Sequence, residues 1–479
     1  METLLSDMAP DELSVTHLMA HRVHSPGKSG VADADGFVPL RSLLLQAVRK
    51  AELLRRFGVV RGDRLALDLR NKSWAAVSID YLACAWLGAC AVLAEDRQLL
   101  GSLDGPVTLM DDCVGSGDMP RGRSDRGRPS PGDPLDILFS SGTTGTPKPI
   151  VFSHKDWVYR PSGAVDRADR IAHYGIPFGT STGVHGILLQ HIAAGAVSVV
   201  ARTSEEVSDL VKSFDCNQLV VTPYALQKLI NSGPATDALA QIKTVKVVAG
   251  PVTGSLASAA IDAFPNARIF SIYGATELGG TVFTRLVRRG EPNGLGVPSP
   301  GTVCRIIDER GAPLPPGEVG QIQVARGSTA ASTPSSAQRW ISVGDMGYMD
   351  KVGQVHLMGR AKEILFLSDR RSTPGKIEEG LLQIPLIEDV GVAAIDNVDG
   401  CDRLGACVVL KDRDKVREAA EELARFDPPL FRIRYVSSIP RTSLGKPLRD
   451  QIWHLLMDSD AEGVWLRPQR SGSVTPPMA

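Results

Sequence analysis

The stretch that most constrains this chain is Phe139-Ser140-Ser141-Gly142-Thr143-Thr144-Gly145-Thr146-Pro147-Lys148. A short apolar strand, Ile137 to Phe139, runs into seven consecutive small or hydroxylated residues. Such residues let backbone N–H groups approach a polyphosphate closely, while hydroxyls and one ammonium complete the cradle. The spacing is not that of a Walker A loop, which places four residues between its glycines and a Lys directly after the second. Here two residues separate Gly142 from Gly145, and Lys148 is followed by Pro149. By itself the run reads equally well as a plain surface loop, so the rest of the chain has to decide.

At 479 residues the chain is too long for one core, and two or more domains are expected. Its 53 basic and 54 acidic residues leave a formal net charge of −1, which speaks against nucleic acid or an anionic membrane as a partner. The 7 cysteines are scattered and odd in number, with no C-x-x-C pair. Reduced thiols in the cytoplasm are therefore expected rather than a disulfide framework or a zinc site. Residues Met1 to Asp7 lack the basic and apolar segments of a signal peptide. The longest apolar run, Ala83 to Ala94, is too short to span a bilayer.

Periodicity outlines an α/β chain. Residues up to about Asp35 are weakly patterned and expected to be loosely ordered. Leu44, Ala47, Val48, Ala51 and Leu54 fall at helical spacing before Gly58, and Arg64 to Leu69 alternates like a strand. Ser73 to Leu87 predicts a buried helix. Asp111 to Pro134 reads as a surface loop or linker. Strands are predicted at 198–201, 218–221, 245–249 and 268–273, with helices at 205–214, 224–230 and 256–264 between them. That alternation argues a mostly parallel sheet with helices on its faces. Beyond Gly294 the texture changes to short strands at 304–307, 321–324 and 354–358. Ser328 to Gln338 is expected to be a loop, a smaller α+β unit starts near Ala361, and the tail from about Arg467 to Ala479 is expected to be disordered.

Five separated stretches together resemble the adenylate-forming (ANL) superfamily of acyl- and aryl-CoA synthetases, luciferases and peptide-synthetase adenylation domains. They are Ser140–Lys148, Tyr273-Gly274-Ala275-Thr276-Glu277, Gly344-Asp345, Gly359-Arg360-Ala361-Lys362-Glu363 and Pro440-Arg441-Thr442-Ser443-Leu444-Gly445-Lys446. The resemblance runs from about Pro39 to His454. It implies an N-terminal adenylation domain over 1–360, with mostly parallel sheets flanked by helices and a distorted β-barrel subdomain. It also implies a small α+β lid over 361–479, turning about a hinge at Glu363 between two half-reactions.

The resemblance implies ATP and Mg²⁺ as cofactors and assigns roles to residues. Ser140, Ser141, Gly142, Thr143, Thr144, Gly145 and Lys148 would hold the β- and γ-phosphates, and Thr276 the α-phosphate. Glu277, with Thr144, would place Mg²⁺, a hard cation that prefers oxygen ligands. Tyr273, followed by Gly274 and Ala275, would stack on adenine, with Ala249-Gly250-Pro251 as the opposite wall and Ser271 near the amino group. Asp345 would accept from the ribose hydroxyls beside Arg360. Lys446, from the lid, would reach carboxylate and α-phosphate oxygens, and Lys446, Thr276 and Glu277 form the catalytic set. Phe178, Thr182, Gly183, His185 and Gly279 would line the acid pocket; for His185 a packed, hydrogen-bonded position is equally expected.

Two departures from the family pattern shape the functional expectation. Where the family places a glycine pair after the hinge, this chain has Ser368-Asp369, followed by Arg370-Arg371. Small residues there allow close approach of a pantetheine arm, so bulk and charge put the CoA step in doubt. The pocket stretches are dominated by small residues, with no Asp or Lys placed to pair with a substrate amino group. The expected activity is therefore ATP-dependent activation of a bulky hydrophobic acid, polycyclic, terpenoid or aryl, by an AMP-forming acyl-CoA synthetase of secondary metabolism with a weakened CoA step. The alternatives are a stand-alone adenylating enzyme that passes the acyl group to a carrier protein, a second ligase or an amine, and a non-catalytic nucleotide-binding partner protein.

Overall fold

The computed structural model describes residues 14–23, 29–70, 72–115, 129–140, 147–158, 168–233, 236–278, 280–291, 294–326, 340–458 and 464–465. The expected loop at 328–338, the tail at 467–479 and most of the expected linker at 111–134 lie outside these residues. The chain divides into two compact units. The first takes Met1–Gly142, Thr146–Val303 and Val324–Ile341; the second takes Cys304–Gln323 and Ser342–Ala479.

The strands of the first unit run in chain order as β1 (Gly30–Asp33), β2 (Gly36–Pro39), β3 (Arg64–Ala66), β4 (Cys90–Val92), β5 (Thr108–Leu109), β6 (Pro134–Phe139), β7 (Pro149–Ser153), β8 (Arg170–Tyr174), β9 (Val197–Ala201), β10 (Gln218–Val221), β11 (Thr244–Val248), β12 (Arg268–Ala275), β13 (Gly280–Leu286) and β14 (Val297–Pro298). One sheet has the order β14-β13-β12-β11-β10-β8-β9-β1-β2, and a second has β5-β3-β4-β6-β7. In the larger sheet β9, β8, β10, β11 and β12 are mutually parallel, while β13 returns antiparallel to β12.

Each crossover helix starts on a threonine. Thr203, Thr222 and Thr253 accept the N–H of Glu206, Ala225 and Leu256, which caps helices Ser204–Ser213, Pro223–Asn231 and Gly254–Ala263. Such a cap contributes about 1 kcal/mol by satisfying a backbone donor that a helix start leaves orphaned. The helices bury Val207, Val211, Leu226, Leu229, Leu256 and Phe264 against Leu219, Val221, Val245, Val247 and Ile269 of the strands. Helix Trp74–Leu87 begins on the Ser73 cap and stops at Gly88, which takes a left-handed conformation. It packs with helix Leu40–Arg56 in the core behind the five-stranded sheet.

The stretch before Asp35 differs from expectation. Helix Val15–Arg22 and β1 lie in it, and β1 pairs parallel with β9 through Gly30 and Val197. Its apolar run, Val31-Ala32, is too short to signal a strand alone, and it is the sheet edge offered by β9 that orders it.

β15 (Thr302–Ile307), β16 (Gly320–Arg326), β17 (Ile341–Met349) and β18 (Val355–Arg360) form one sheet, most of whose residues belong to the second unit. A hairpin of β19 (Leu365–Phe366) and β20 (Arg371–Ser372) follows. The last sheet is β21 (Ile387–Val398), β22 (Cys401–Leu410), β23 (Leu430–Tyr435) and β24 (Val464–Trp465), in that order. Helices Pro374–Leu381, Val416–Ala424 and Arg449–Met457 cover it. This unit takes in β18, ahead of the expected boundary after residue 360, because β18 packs on the following segment: a Cβ on Gly359 would come within 2.6 Å of the Thr373 side chain. All 7 cysteines are free thiols. Among the described residues no helix is long and apolar enough to cross a membrane.

Four histidines among the described residues, His154, His173, His185 and His191, are buried in the first unit, and the first two and the last bear on its pH dependence. His173 on β8 and His191 lie with ring centroids 5.0 Å apart, and His191 shares a hydrogen bond with Ser198. His154 accepts the Val15 N–H at 3.3 Å. Burial pushes His191 down to about 3 and His154 to about 4, and drives His173 well below the usual imidazole range. The neighbouring Lys246 ammonium adds to this for His173 and His191. The unfolded chain therefore binds protons below pH ~6.5 that the folded chain refuses, so stability is full above that pH and falls as pH drops toward the folded values. Urea unfolding should be steady between pH 8 and 7. By pH 5.5 it should lose about 1.4 kcal/mol per histidine, roughly 4 kcal/mol together. A midpoint that stays level from pH 7.5 to 5.5 would contradict the neutral burial of these rings.

Candidate active site

Parallel strands deliver the loops that follow them to one edge of a sheet, and ligands of open α/β sheets bind at that carboxyl edge. Ala249-Gly250-Pro251 follows β11, and Tyr273 to Glu277 ends β12, whose Ile272 is in register with Val248. One of the five predicted stretches, Tyr273 to Glu277, and the predicted wall Ala249-Gly250-Pro251 thereby follow neighbouring parallel strands of the first unit.

Local geometry explains the residue types. Tyr273 sits opposite Phe283, with ring centroids 5.6 Å apart. The β12–β13 pairing then slips between Tyr273 and Gly274. At Gly274 a Cβ would lie 2.5 Å from the Gly280 carbonyl oxygen, so the slip depends on a residue without a side chain. The chain turns at once into the 3₁₀ segment Thr276–Leu278, anchored by the buried Leu278, which leaves Glu277 exposed. Ser271 is buried on β12 between Val247 and Arg285. Ala249 has φ of +67°, a left-handed conformation that costs a residue with a Cβ about 1–2 kcal/mol.

The hydroxyl-rich run connects β6 to β7. Ser140 N–H donates to the Lys148 carbonyl at 2.9 Å, and Lys148 N–H donates to Ser140 Oγ at 2.9 Å. This closes the base of a hairpin and leaves the Lys148 side chain exposed. Ser141, Gly142, Thr143, Thr144 and Gly145, and with them the Thr144 metal assignment, lie outside the described residues, as does Gly279.

Of the remaining acid-pocket candidates, two are interior. Phe178 packs edge-on against Trp74 at 4.8 Å and is 5% exposed. His185 is 2% exposed, and its Nε2 lies 2.8 Å from Asp136 Oδ2, which also accepts the Tyr81 hydroxyl at 2.7 Å. His185 thus takes the packed position, because a carboxylate fully buried on β6 demands donors. It belongs to a π-helical segment, Ser181–Leu189, that lies against both β6 and β13. A Cβ on Gly183 would meet the Pro177 carbonyl at 2.1 Å, so this residue lets the segment fold back on itself. Thr182 is partly exposed. Asp136 was not among the predicted residues. The available signal was a carboxylate inside the apolar run Leu135-Asp136-Ile137-Leu138.

The second unit carries the other predicted residues. Asp345 on β17 and Arg360 on β18 are register partners, joined Oδ1 to Nε at 2.9 Å, and Arg360 Nη1 donates to the Val343 carbonyl at 2.8 Å. Glu363 lies in the 3₁₀ turn Ala361–Glu363 directly after β18. Lys446 stands on a tight hairpin before helix Arg449–Met457, with its N–H on Thr442 Oγ1 at 3.1 Å.

Among the described residues no group of three or more His, Cys, Asp or Glu is placed to hold a metal ion. Glu277 makes no hydrogen bond or ion pair among them. It therefore offers unengaged carboxylate oxygens of the kind Mg²⁺ takes beside phosphate oxygens and water.

The comparisons agree with this architecture. A family model described as AMP-binding enzyme matches residues 102–332. The chain is similar to 4-coumarate-CoA ligase 1 of Narcissus pseudonarcissus, 25% identical over 354 residues, covering 67% of this chain and 64% of that protein. It is 28% identical over 359 residues to the fatty acid--[acyl-carrier-protein] ligase ScoC of Streptomyces coeruleorubidus, with 68% of each chain covered. Among solved structures it superposes on the anthranilate CoA ligase AuaEII in complex with anthranoyl-AMP with a TM-score of 0.74 at 19% identity, covering 94% of this chain and 98% of that one. The fold is that of the adenylate-forming enzymes. The AMP-binding match covers 102–332, and the first of these relatives is spanned over less than two thirds of its own length.

The strain at residue 249 is testable. Ala249→Gly should raise the urea midpoint by the equivalent of about 0.5–1 kcal/mol, the left-handed cost relieved less the entropy of glycine. Ala249→Val should lower it by ~2 kcal/mol or more, because a branched Cβ fits this conformation worst. Equal midpoints for all three proteins would show that residue 249 is not held left-handed.

Proposed function

We propose that the chain is an AMP-forming acid–thiol ligase that activates a carboxylic acid with ATP, forming an acyl-adenylate and releasing pyrophosphate. The observation that carries the reading is the turn after β12: Thr276 and an exposed Glu277, with no partner among the described residues, follow Tyr273 on a strand whose Ile272 is in register with Val248, the residue just before the Ala249-Gly250-Pro251 stretch with its left-handed Ala249. An acid carboxylate attacks a phosphorus ringed by negative oxygens, so the barrier is electrostatic and catalysis is positioning plus charge neutralisation.

In this reading Tyr273 and the 249–251 wall enclose adenine, with Gly274 and Ala275 leading the chain past it, Ser271 near the amino group and Asp345 with Arg360 at the ribose. Ser140 to Gly145 and Lys148 hold the terminal phosphates, and Thr276 donates to the α-phosphate. Glu277 and Thr144 would hold Mg²⁺, which would supply neutralisation of phosphate charge. Lys446 supplies an ammonium group to charge that builds in the transition state. Residues 361–479 act as a lid with Glu363 as its pivot.

The acid is proposed to be bulky and hydrophobic, polycyclic, terpenoid or aryl. The small residues around Thr182, Gly183 and Gly279-Gly280 support this. The setting is proposed to be secondary metabolism in the cytoplasm.

CoA remains a possible co-substrate, but its step is read as weakened. The β19–β20 hairpin has Arg370 tied to Asp369 at 2.8 Å and to Asp427 at 2.7 Å, with Arg371 over the Phe366 ring at 5.2 Å. The charge of Arg370 is thus matched by two carboxylates rather than left for a CoA phosphate. A carrier protein, or a second ligase, is the acceptor this favours, and the ScoC relative, a fatty acid--[acyl-carrier-protein] ligase by name, supports it.

Acid-dependent ATP–pyrophosphate exchange over a panel of carboxylic acids tests the first half-reaction. Lys446→Ala should lower it about 10²–10³-fold while ATP still binds; exchange near wild type would refute the lysine assignment. Preformed adenylate offered to CoA, carrier protein and amine should react slowest with CoA. Rapid CoA-thioester formation would refute the weakened step.

A further inference from the structure

The hairpin that carries Lys446 is fixed by bonds that reach well beyond it. Arg441 and Pro447 form an antiparallel bridge, Thr442 N–H donates to the Lys446 carbonyl at 2.8 Å, and Gly445 N–H donates to the Thr442 carbonyl at 2.8 Å. Inside this frame the Arg441 guanidinium has two tasks. Its Nη1 donates to the Gly445 carbonyl at 2.8 Å, next to Lys446. Its Nε, at 3.3 Å, and its Nη2 form a fork on the carboxylate of Asp389, 52 residues earlier. Asp389 stands on β21 where the pairing with β22 slips between Ile387 and Asp389, a bulge of the kind that re-aims a side chain. Both side chains are largely covered, 14% exposed for Arg441 and 21% for Asp389.

The far end of the hairpin is held separately. Arg449, the first residue of helix Arg449–Met457, pairs with Glu378 and donates to the Val392 carbonyl at 3.0 Å, while Glu378 accepts the Val392 N–H at 2.8 Å. That brace is independent of Arg441, so the unit retains an anchor when the first brace is weakened.

We propose that the Asp389–Arg441 pair is a positioning device for Lys446: it links β21 to the Gly445 carbonyl and thereby sets where the lysine ammonium stands. Arg441 and Asp389 touch no reacting atom in this account and act through Lys446. The proposal rests on the catalytic reading of Lys446. A planar fork can hold a carboxylate and a carbonyl at once, whereas a lysine ammonium on its flexible stem serves as a single point charge. Misplacement of a catalytic group by about 1 Å can cost ~10²-fold in rate.

The test uses the full chain and acid-dependent ATP–pyrophosphate exchange, with kcat and KM read separately and thermal melting alongside. Arg441→Lys and Asp389→Asn should each lower kcat by ~10–100-fold, with KM for ATP and for the acid within about twofold of wild type. The exchanged pair, Asp389→Arg with Arg441→Asp, restores opposite charges but leaves no guanidinium for Gly445. It should recover melting temperature without recovering kcat. Recovery of kcat in the exchanged pair, or wild-type kcat in both single variants, would overturn the proposal. Lys446→Ala run in parallel separates the two levels. If it loses exchange while the brace variants keep it, the brace alone fails; if it keeps exchange, the lysine reading fails first.

Discussion

Five neighbouring parallel strands, β9, β8, β10, β11 and β12, impose the arrangement on which the first unit depends. Each but β12, the last of them in the chain, must return by a crossover, and each crossover leaves from the same edge. The threonine-capped helices after β9, β10 and β11 start at that edge, so the partial positive charge of their first turns gathers there. The antiparallel return of β13 ends the parallel run at β12 and forces a tight turn at Thr276 and Glu277. A carboxylate left exposed by a turn of this kind is placed by the sheet rather than by its own neighbours.

One buried polar arrangement ties this edge to the rest of the unit. Asp136 gathers Tyr81 and His185 around one oxygen, which pins the π-helical segment 181–189 to β6 while the same segment lies against β13. The connection to the hydroxyl-rich hairpin is covalent, since β6 runs directly into it. A buried carboxylate deprived of its donors costs several kcal/mol, which is why such a group specifies one arrangement of the elements that meet on it.

In the second unit the recurring device is an arginine on a carboxylate of another element: Arg360 on Asp345 of the neighbouring strand, and Arg441 on Asp389 and Arg449 on Glu378 as forks across more than fifty residues. Each carboxylate is mostly covered and each arginine also donates to a backbone carbonyl. The fork therefore orients a chain segment as well as balancing a charge. The hairpin at 365–372 shows the same chemistry at the surface, where Arg370 engages Asp427.

The strand and helix alternation between residues 197 and 275 was legible from its apolar patterning, and element limits fell within a few residues of expectation. The five motifs were legible because their spacing is local: Tyr273 to Glu277 lie on one strand end, Pro440 to Lys446 on one hairpin. The tertiary structure alone decided the rest. It made β1 a partner of β9, turned Phe178 and His185 inward, bent Ala249 to positive φ, and joined Asp389 to Arg441. The reason is physical. Propensity and capping act over a few residues, whereas a buried polar partner is chosen by which strands lie side by side, and no local pattern around Asp136 or Asp389 names a partner some fifty residues away.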